Sequence, residues 1–66
     1  MITAYERRAR AFRREVVKFA HSAVAQWGSE KAALLVWNKK GVAAEAKGDT
    51  LIVWIGRERI EVTANA

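Results

Sequence analysis

The residues of this 66-residue chain with the clearest chemical potential are the arginines near its start. If residues 3–27 form a helix, with about 100° between successive residues, a set of cations falls on or beside one side. An arginine guanidinium is a planar fork that binds phosphate oxygens in pairs. We call this set the cationic stripe; from Arg7 to Lys18 it spans about 16 Å at about 1.5 Å rise per residue. Its central members are Arg7, Arg10, Arg14, Lys18 and His21, and Arg8 and Arg13 lie on its flanks.

The spacing of the stripe predicts contact with an anionic partner. Arg14 follows Arg10 and Lys18 follows Arg14 at the i,i+4 distance, where each like-charge pair costs about 0.2–0.5 kcal/mol. A helix face that served only solubility would alternate its charges. No asparagine or glutamine lies between these cations in the sequence. Those two residues are the ones that read adenine in the major groove, so the stripe is suited to backbone contact. We therefore expect contact with nucleic-acid phosphates, with DNA favoured over RNA, or with an acidic protein surface.

The remaining polar residues give little support to catalysis. His21 is the only imidazole, and no acid lies beside it in the sequence. Ser22 and Ser29 have no neighbouring base to activate them. Glu45 and Glu61 resemble a carboxylate pair, but such residues on a sheet face are usually solvated. With no cysteine, disulfides and thiolate metal sites are excluded. We expect a non-enzymatic protein with no catalytic, metal or cofactor-binding residues.

The element that must position the stripe is a long N-terminal amphipathic helix over residues 3–27. Thr3 and Glu6 match a capping box, and Gly28 suits the left-handed position after the last turn. The apolar residues recur at intervals of three and four, which predicts a helix with one buried face. They are Tyr5, Ala9, Phe12, Val16, Phe19, Ala20, Ala23 and Trp27.

Two glycines predict the hairpins of an antiparallel meander. Gly48-Asp49 and Gly56-Arg57 are suitable two-residue loops with glycine first, so strands are expected at about 42–47, 50–55 and 58–63. Both loops place the same alternate residues on one face, and a slip of one residue would destroy that agreement. This face contains Val42, Ala44, Ala46, Leu51, Val53, Ile55, Ile60 and Val62.

Residues 30–38 fit two structures. As a short helix they have Ser29 as an N-cap and Gly41 beyond the end. As a fourth strand, joined by a loop over residues 39–41, they place Val36 opposite Ala44 and Leu34 opposite Ala46. We prefer the strand because both residues then join the core face. The expected fold class is α+β: one domain over residues 1–66, with the long helix packed on a meander of three to four strands.

A fourth strand also predicts an exposed apolar patch on the outer sheet face, the face away from the helix. The patch is a candidate partner interface of the kind that large exposed apolar areas mark. Its members are Leu35, Trp37, Ile52 and Trp54, with Arg59 in the same row as the two tryptophans. In the alternative, a helix over residues 29–37 covers this face. Tyr5 and Phe12 are further candidates, since the long helix outreaches the sheet and a homodimer would cover its overhang.

The charge of the chain is concentrated on the long helix. The formal net charge is +5, and six of the twelve lysines and arginines lie within the first 18 residues. No apolar run approaches the roughly 20 residues that cross a bilayer, so we expect a cytoplasmic protein and little membrane binding.

The leading hypothesis is a small nucleic-acid-binding homodimer. The alternative is a protein-interaction module: an adaptor or inhibitor of the kind mobile elements encode, docking on a larger complex through the helix, Trp37 and Trp54.

Overall fold

The fold is a pair of helices packed on a three-stranded antiparallel sheet. The computed structural model describes residues 3–63. The helices are α1 (Ala4–Trp27) and α2 (Ser29–Lys40), and the strands are β1 (Ala43–Lys47), β2 (Thr50–Ile55) and β3 (Glu58–Thr63). The strand order is β1-β2-β3. The predicted α+β class, with a long helix on a meander, is therefore confirmed.

The register of the meander is the one that the two glycine loops predict. Ala44 pairs with Val53 and Val53 with Ile60, so the alternation continues across all three strands. Gly48 and Gly56 have φ values of 61° and 63°. Both are first in a two-residue loop, where type II′ turns require positive φ. Any other residue at these two positions would strain the turn, because residues with a side chain rarely adopt positive φ.

Helix α1 begins and ends where the sequence predicts. The backbone N–H of Glu6 donates to the Thr3 hydroxyl at 3.1 Å, which satisfies one of the amides that a helix start leaves unpaired. At the other end Gly28 has φ of 89° and donates its N–H to the Val24 carbonyl at 3.0 Å. Gly28 also serves as the cap before α2, so the chain turns directly from one helix into the next.

The preference for a fourth strand over residues 30–38 is wrong, because this segment is α2. Ser29, Ala32 and Val36 are its buried residues, and their intervals of three and four are helical rather than alternating. Alanine, leucine, lysine and glutamate, which fill the segment, all favour helices. At its end Gly41 has φ of 69° and donates its N–H to the Trp37 carbonyl at 3.0 Å, a left-handed helix end that glycine adopts readily.

Both helices pack on the same face of the sheet. Helix α1 lies over β2 and β3, and α2 lies beside it over β1 and β2. The core between the layers contains only small and medium-sized side chains: Val16, Ala20, Ala23, Val24, Ala32, Val36, Leu51, Val53 and Val62. The hydroxyl of Ser29, itself buried, donates to the Gly48 carbonyl. This bond joins the start of α2 to the β1–β2 turn and leaves the hydroxyl satisfied.

The first half of α1 extends beyond the sheet. Its 24 residues span about 36 Å, whereas a six-residue strand spans about 20 Å. Residues 4–15 are all exposed, and the first buried residue of the helix is Val16. The molecule accordingly measures 40 Å along its longest axis and 23 and 18 Å along the others. We call residues 4–15 the projecting half of α1.

Candidate nucleic-acid interface

The cationic stripe begins on the projecting half of α1 and continues along the packed half. Every member of the stripe is exposed, from Arg7 to His21. The buried face of α1, defined by Val16, Ala20 and Ala23, points at the sheet. Lys18 is on the opposite side of the helix, because it is two residues from both Val16 and Ala20 and a separation of two turns a helix by about 200°. The stripe therefore faces solvent along its whole length.

Most cations of the stripe have no carboxylate partner within the described residues 3–63. The ion pairs found there are Arg13–Glu58 and Arg59–Glu61. The i,i+4 pair of Glu6 with Arg10 that the sequence allows is not among them. Five positive charges are consequently available along three turns of helix: Arg7, Arg8, Arg10, Arg14 and Lys18. Unpaired guanidinium groups retain their full capacity to bind phosphate oxygens.

Arg13 has a different role from the other arginines of the stripe. Its side chain reaches the end of the β2–β3 turn. There Nε donates to Oε1 of Glu58 and Nη2 donates to Oε2, both at 2.7 Å. This bidentate bond, and then the attraction of the opposite charges, raises the pKa of Arg13; the same bond lowers the pKa of Glu58. Arg13 fastens the projecting half of α1 to the sheet and is the least available of the arginines for an external phosphate.

The Arg13–Glu58 bond predicts a pH-dependent contribution to stability. Because folding lowers the pKa of Glu58, the contribution is complete above the ordinary glutamate pKa of about 4.3 and is lost as the pH falls through the lower folded value. We expect Arg13→Gln to lower the melting temperature at neutral pH and to make progressively less difference as the pH falls below the ordinary glutamate pKa of about 4.3, down to about pH 2. Both groups are half-exposed, so the effect is small and shrinks with added salt.

The control for this measurement is Arg10→Gln, which removes an arginine that has no ion pair among the described residues. Thermal melts of the wild type and both variants at the two pH values make the comparison. An Arg13→Gln variant that melts like the wild type at neutral pH would contradict the assignment. So would a difference between them that is undiminished in acid.

Tyr5 and Phe12 lie on the projecting half, as the overhang argument expects. Tyr5 is 80% exposed and Phe12 40%. They line a shallow cleft between α1 and the β2–β3 turn, together with Ala9, Ile55 and the Arg13–Glu58 pair. The cleft places an apolar strip beside the cations, so the projecting half presents two chemically distinct sides.

The predicted outer sheet patch does not form as one surface. Leu35 is packed against the core and Trp37 lies on α2, beside β1. Ile52, Trp54 and Arg59 remain on the outer face, since the register pairs Trp54 with Arg59 and Ile52 with Glu61.

The alternative, a helix over residues 29–37 that covers the outer face, is right about the helix, since α2 spans Ser29–Lys40. It is wrong about the face, because α2 joins α1 on the other side of the sheet. Ile52 is only 3% exposed, although neither helix packs on its face. Its direct neighbours across the strands are Glu45 and Glu61, and long charged side chains cover apolar surface with their methylene groups. Trp54, at 36% exposed, is the only large hydrophobic residue left open on this face among the described residues.

An apolar groove between α2 and β1 is the feature that the sequence reasoning missed. It has a volume of about 450 Å³ and is lined by Leu34, Trp37 and residues of β1. Leu34 is 65% exposed and Trp37 59%. The strand interpretation placed Leu34 in the core. On a helix, Leu34 is about 200° from both Ala32 and Val36, so the signal was an apolar run too broad for a single buried helix face.

Other kinds of site find no support within residues 3–63. No three of the described histidines, aspartates and glutamates cluster as a metal site would require, and His21 makes no hydrogen bond or ion pair with a described residue. Neither described helix has both the length and the apolar composition needed to cross a membrane.

Comparison with protein-family models, curated protein sequences and solved structures gives no significant match. Any function must therefore be inferred from the residues and geometry of the chain itself.

Proposed function

We propose that this chain is a small, basic, non-enzymatic nucleic-acid-binding protein that grips phosphates with the cationic stripe of α1. The observation that carries the proposal is the set of five unpaired cations, Arg7, Arg8, Arg10, Arg14 and Lys18, most of them on the projecting half. A folded body that needed only solubility gains nothing from concentrating like charges on one protruding helix. Four of the five are arginines, the residue whose geometry best matches phosphate.

The shape of the projecting half supports duplex DNA as the favoured ligand. A helix with its side chains is about 10–12 Å across, and the major groove of B-DNA is about 12 Å wide. Residues 4–15 are all exposed, and the side of this half that carries the stripe faces away from the sheet, so that side can approach such a groove. Arg8, on a flank of the stripe, and Arg10, about 200° further round the helix, would then approach the phosphates on the two walls.

The proposal includes a homodimer and a cytoplasmic location. A dimer would present two copies of the stripe and would bury additional apolar surface, which a 66-residue domain needs more than a larger one does. Binding through backbone phosphates carries little sequence information. We accordingly expect an architectural or accessory protein with weak sequence preference rather than a specific repressor.

Titration of labelled duplex DNA at about 50 mM and about 200 mM salt tests the proposal, since each phosphate contact contributes about 0.9 to the slope of log K against log salt. Five contacts give a slope of about −4.5, equivalent to a loss of affinity of about 500-fold between the two conditions. Single-stranded DNA should give a shallower slope, because its coefficient is about 0.7 per contact. Binding that is weak and insensitive to salt would contradict phosphate recognition.

A protein-interaction module is the second candidate, and the exposed tryptophans favour it. Trp37 lies in the α2–β1 groove and Trp54 on the outer sheet face, so they would serve two separate contacts rather than one patch. In this case duplex binding is weak from the outset, and substitution of Trp37 or Trp54 abolishes capture of the protein partner. The salt titration therefore separates the two candidates.

A further inference from the structure

We infer that the open edge of β1, together with the α2–β1 groove, is the surface through which two copies of this chain associate. This inference deepens the proposed function, which already includes a homodimer, by naming the interface. Strand β1 is at one end of the sheet and has β2 on one side only. Its other side is a free row of backbone donors and acceptors, which templates pairing with another strand.

The register identifies the backbone groups that are free. The two-residue loop at Gly48-Asp49 closes with a hydrogen-bonded pair, Lys47 and Thr50. Hydrogen-bonded and non-bonded pairs alternate along an antiparallel ladder, so the N–H and C=O of Ala44 and Ala46 point away from β2. The same holds for Val42, just before the strand. A second β1 running antiparallel offers the same groups in complementary order.

The composition of β1 protects this edge less than the other edge is protected. Strand β1 reads Ala-Ala-Glu-Ala-Lys, with two charged side chains and no proline or bulge to block pairing. Strand β3, at the opposite edge, carries Glu58, Arg59 and Glu61, and its charges form ion pairs within the chain. Charged side chains are a common means of discouraging edge pairing. The exposed Leu34 and Trp37 lie along the β1 edge and would be covered by the same contact.

Charge disfavours a second copy less at this surface than at the projecting helix. Pairing of two projecting halves would bring together two sets of unpaired arginines. The charged lining of the α2–β1 groove is only Glu30 and Glu45, so fewer like charges meet there. Helix α1 packs over β2 and β3, so a two-fold axis at β1 leaves the stripes on the two outer flanks. Screening over about 8 Å at physiological salt then removes most of their mutual repulsion.

The best register centres the two-fold axis on Ala44. Residues 42–46 of both chains then pair completely, and Glu45 lies opposite Ala43 of the partner. A register centred on Glu45 would instead place two carboxylates directly opposite each other, which is unfavourable. The result is one sheet of six strands, three from each chain, with Leu34 and Trp37 of each α2 packed against the α2 of the other copy.

The chain exposes more surface than a compact monomer of the same mass. The chain exposes 4982 Å², whereas a compact monomer of 7.4 kDa is expected to expose about 4,200 Å². The excess is comparable to the roughly 800 Å² that each partner buries in a standard interface. The projecting half of α1 contributes to it as well.

Sedimentation of the full chain, without nucleic acid, tests the interface. The wild type should sediment at twice 7.4 kDa. Leu34→Glu should raise the dimer dissociation constant roughly tenfold or more, as loss of a hot-spot residue does, and should remain folded because glutamate is a good helix former. The matched control is Tyr5→Glu, which adds the same charge at an exposed residue of α1 and should leave the dimer intact.

Two further measurements address the β1 edge itself. Ala44→Pro removes an N–H that β2 does not use, so it should prevent dimerisation while circular dichroism shows a folded chain. Hydrogen exchange should show protected amides at Ala44 and Ala46 in the wild type and unprotected ones in Leu34→Glu. A wild type that is monomeric overturns the inference, whether or not β1 accepts some other extended peptide. A dimer lost in Tyr5→Glu but kept in Leu34→Glu overturns it too.

The inference and the proposed function fail in different ways. Since Leu34→Glu keeps the cationic stripe, its monomer should still bind duplex DNA, with the salt slope of a single helix. A dimer that forms through β1 but does not bind nucleic acid would reject the proposed function and leave the interface standing. A monomeric wild type that binds duplex with the expected slope would reject the interface and the homodimer, and would leave phosphate binding by the stripe standing.

Discussion

Replacing Arg10 and Arg14 together by glutamine is expected to weaken duplex binding about 200-fold at about 50 mM salt and about 20-fold at about 200 mM. The binding constant varies as a power of the salt concentration, and each phosphate contact contributes about −0.9 to that power. The figures follow from the loss of two contacts. For one bound helix the slope falls from about −4.5 to about −2.7. A dimer that engages both helices on one duplex loses twice as much. Stability should rise slightly, because two like-charge i,i+4 pairs are relieved at about 0.2–0.5 kcal/mol each.

The control for that variant is the double substitution Lys31→Gln and Lys39→Gln. Both lysines are exposed on α2, and either double variant changes the formal charge from +5 to +3, since each removes two cations. Only the α1 variant should change the salt slope. Equal weakening by the two would mean that net charge, and not the stripe, attracts the duplex. An α1 variant that binds as tightly as the wild type, with an unchanged slope, would reject the proposal.

The hairpins were predictable because two independent constraints agree on their register. Gly48 and Gly56 mark the loops by their freedom to adopt positive φ, and both loops place Val53 on the core face. A strand alternates with a period of two, so an error of one residue would have exposed every apolar side chain. The long helix was equally accessible, since Thr3 and Gly28 mark its ends and its apolar spacing excludes a strand.

Segment 29–40 was not predictable by the same reasoning, because its apolar residues satisfy both periods. Val36 and Leu34 alternate as strand residues would, and Ala32 and Val36 recur as helix residues would. The structure places Val36 in the core and Leu34 in solvent, so only the helical spacing describes burial. The helix-favouring composition of the segment agrees with its tertiary contacts: α2 packs beside α1 over β1 and β2, on the part of the sheet that α1 does not cover.

The candidate interface was only partly visible in the sequence. The stripe could be drawn from the spacing of Arg7, Arg10, Arg14 and Lys18, and the structure places them together on one exposed face. The role of Arg13 could not be foreseen, since its partner Glu58 is 45 residues away and becomes a neighbour only when the sheet meets α1. Contacts between distant segments are what a periodicity argument does not contain.

Leu51→Ala is expected to be the most destabilising of these substitutions. Leu51 is fully buried in the middle strand, and truncating such a leucine costs about 2–5 kcal/mol through lost burial and the cavity left behind. A chain of 66 residues has a total stability of only about 3–10 kcal/mol, at about 0.05–0.15 kcal/mol per residue. The variant should therefore be substantially unfolded at 37 °C or melt far below the wild type. The core around Leu51 consists of valines and alanines, which have little freedom to move into the vacated space.

Leu34→Ala is the matched control, because it removes the same atoms from a leucine that is 65% exposed. Measured by urea unfolding at a concentration low enough for the chain to be monomeric, it should change the free energy of unfolding by no more than about 0.5 kcal/mol. At higher concentration Leu34→Ala should lose stability relative to the wild type, because the dimer that Leu34 helps to form stabilises the folded chain by mass action. Comparable destabilisation by the two variants at low concentration would mean that Leu34 belongs to the core. The packing of α2 described here, and the groove beside β1, would then both be wrong.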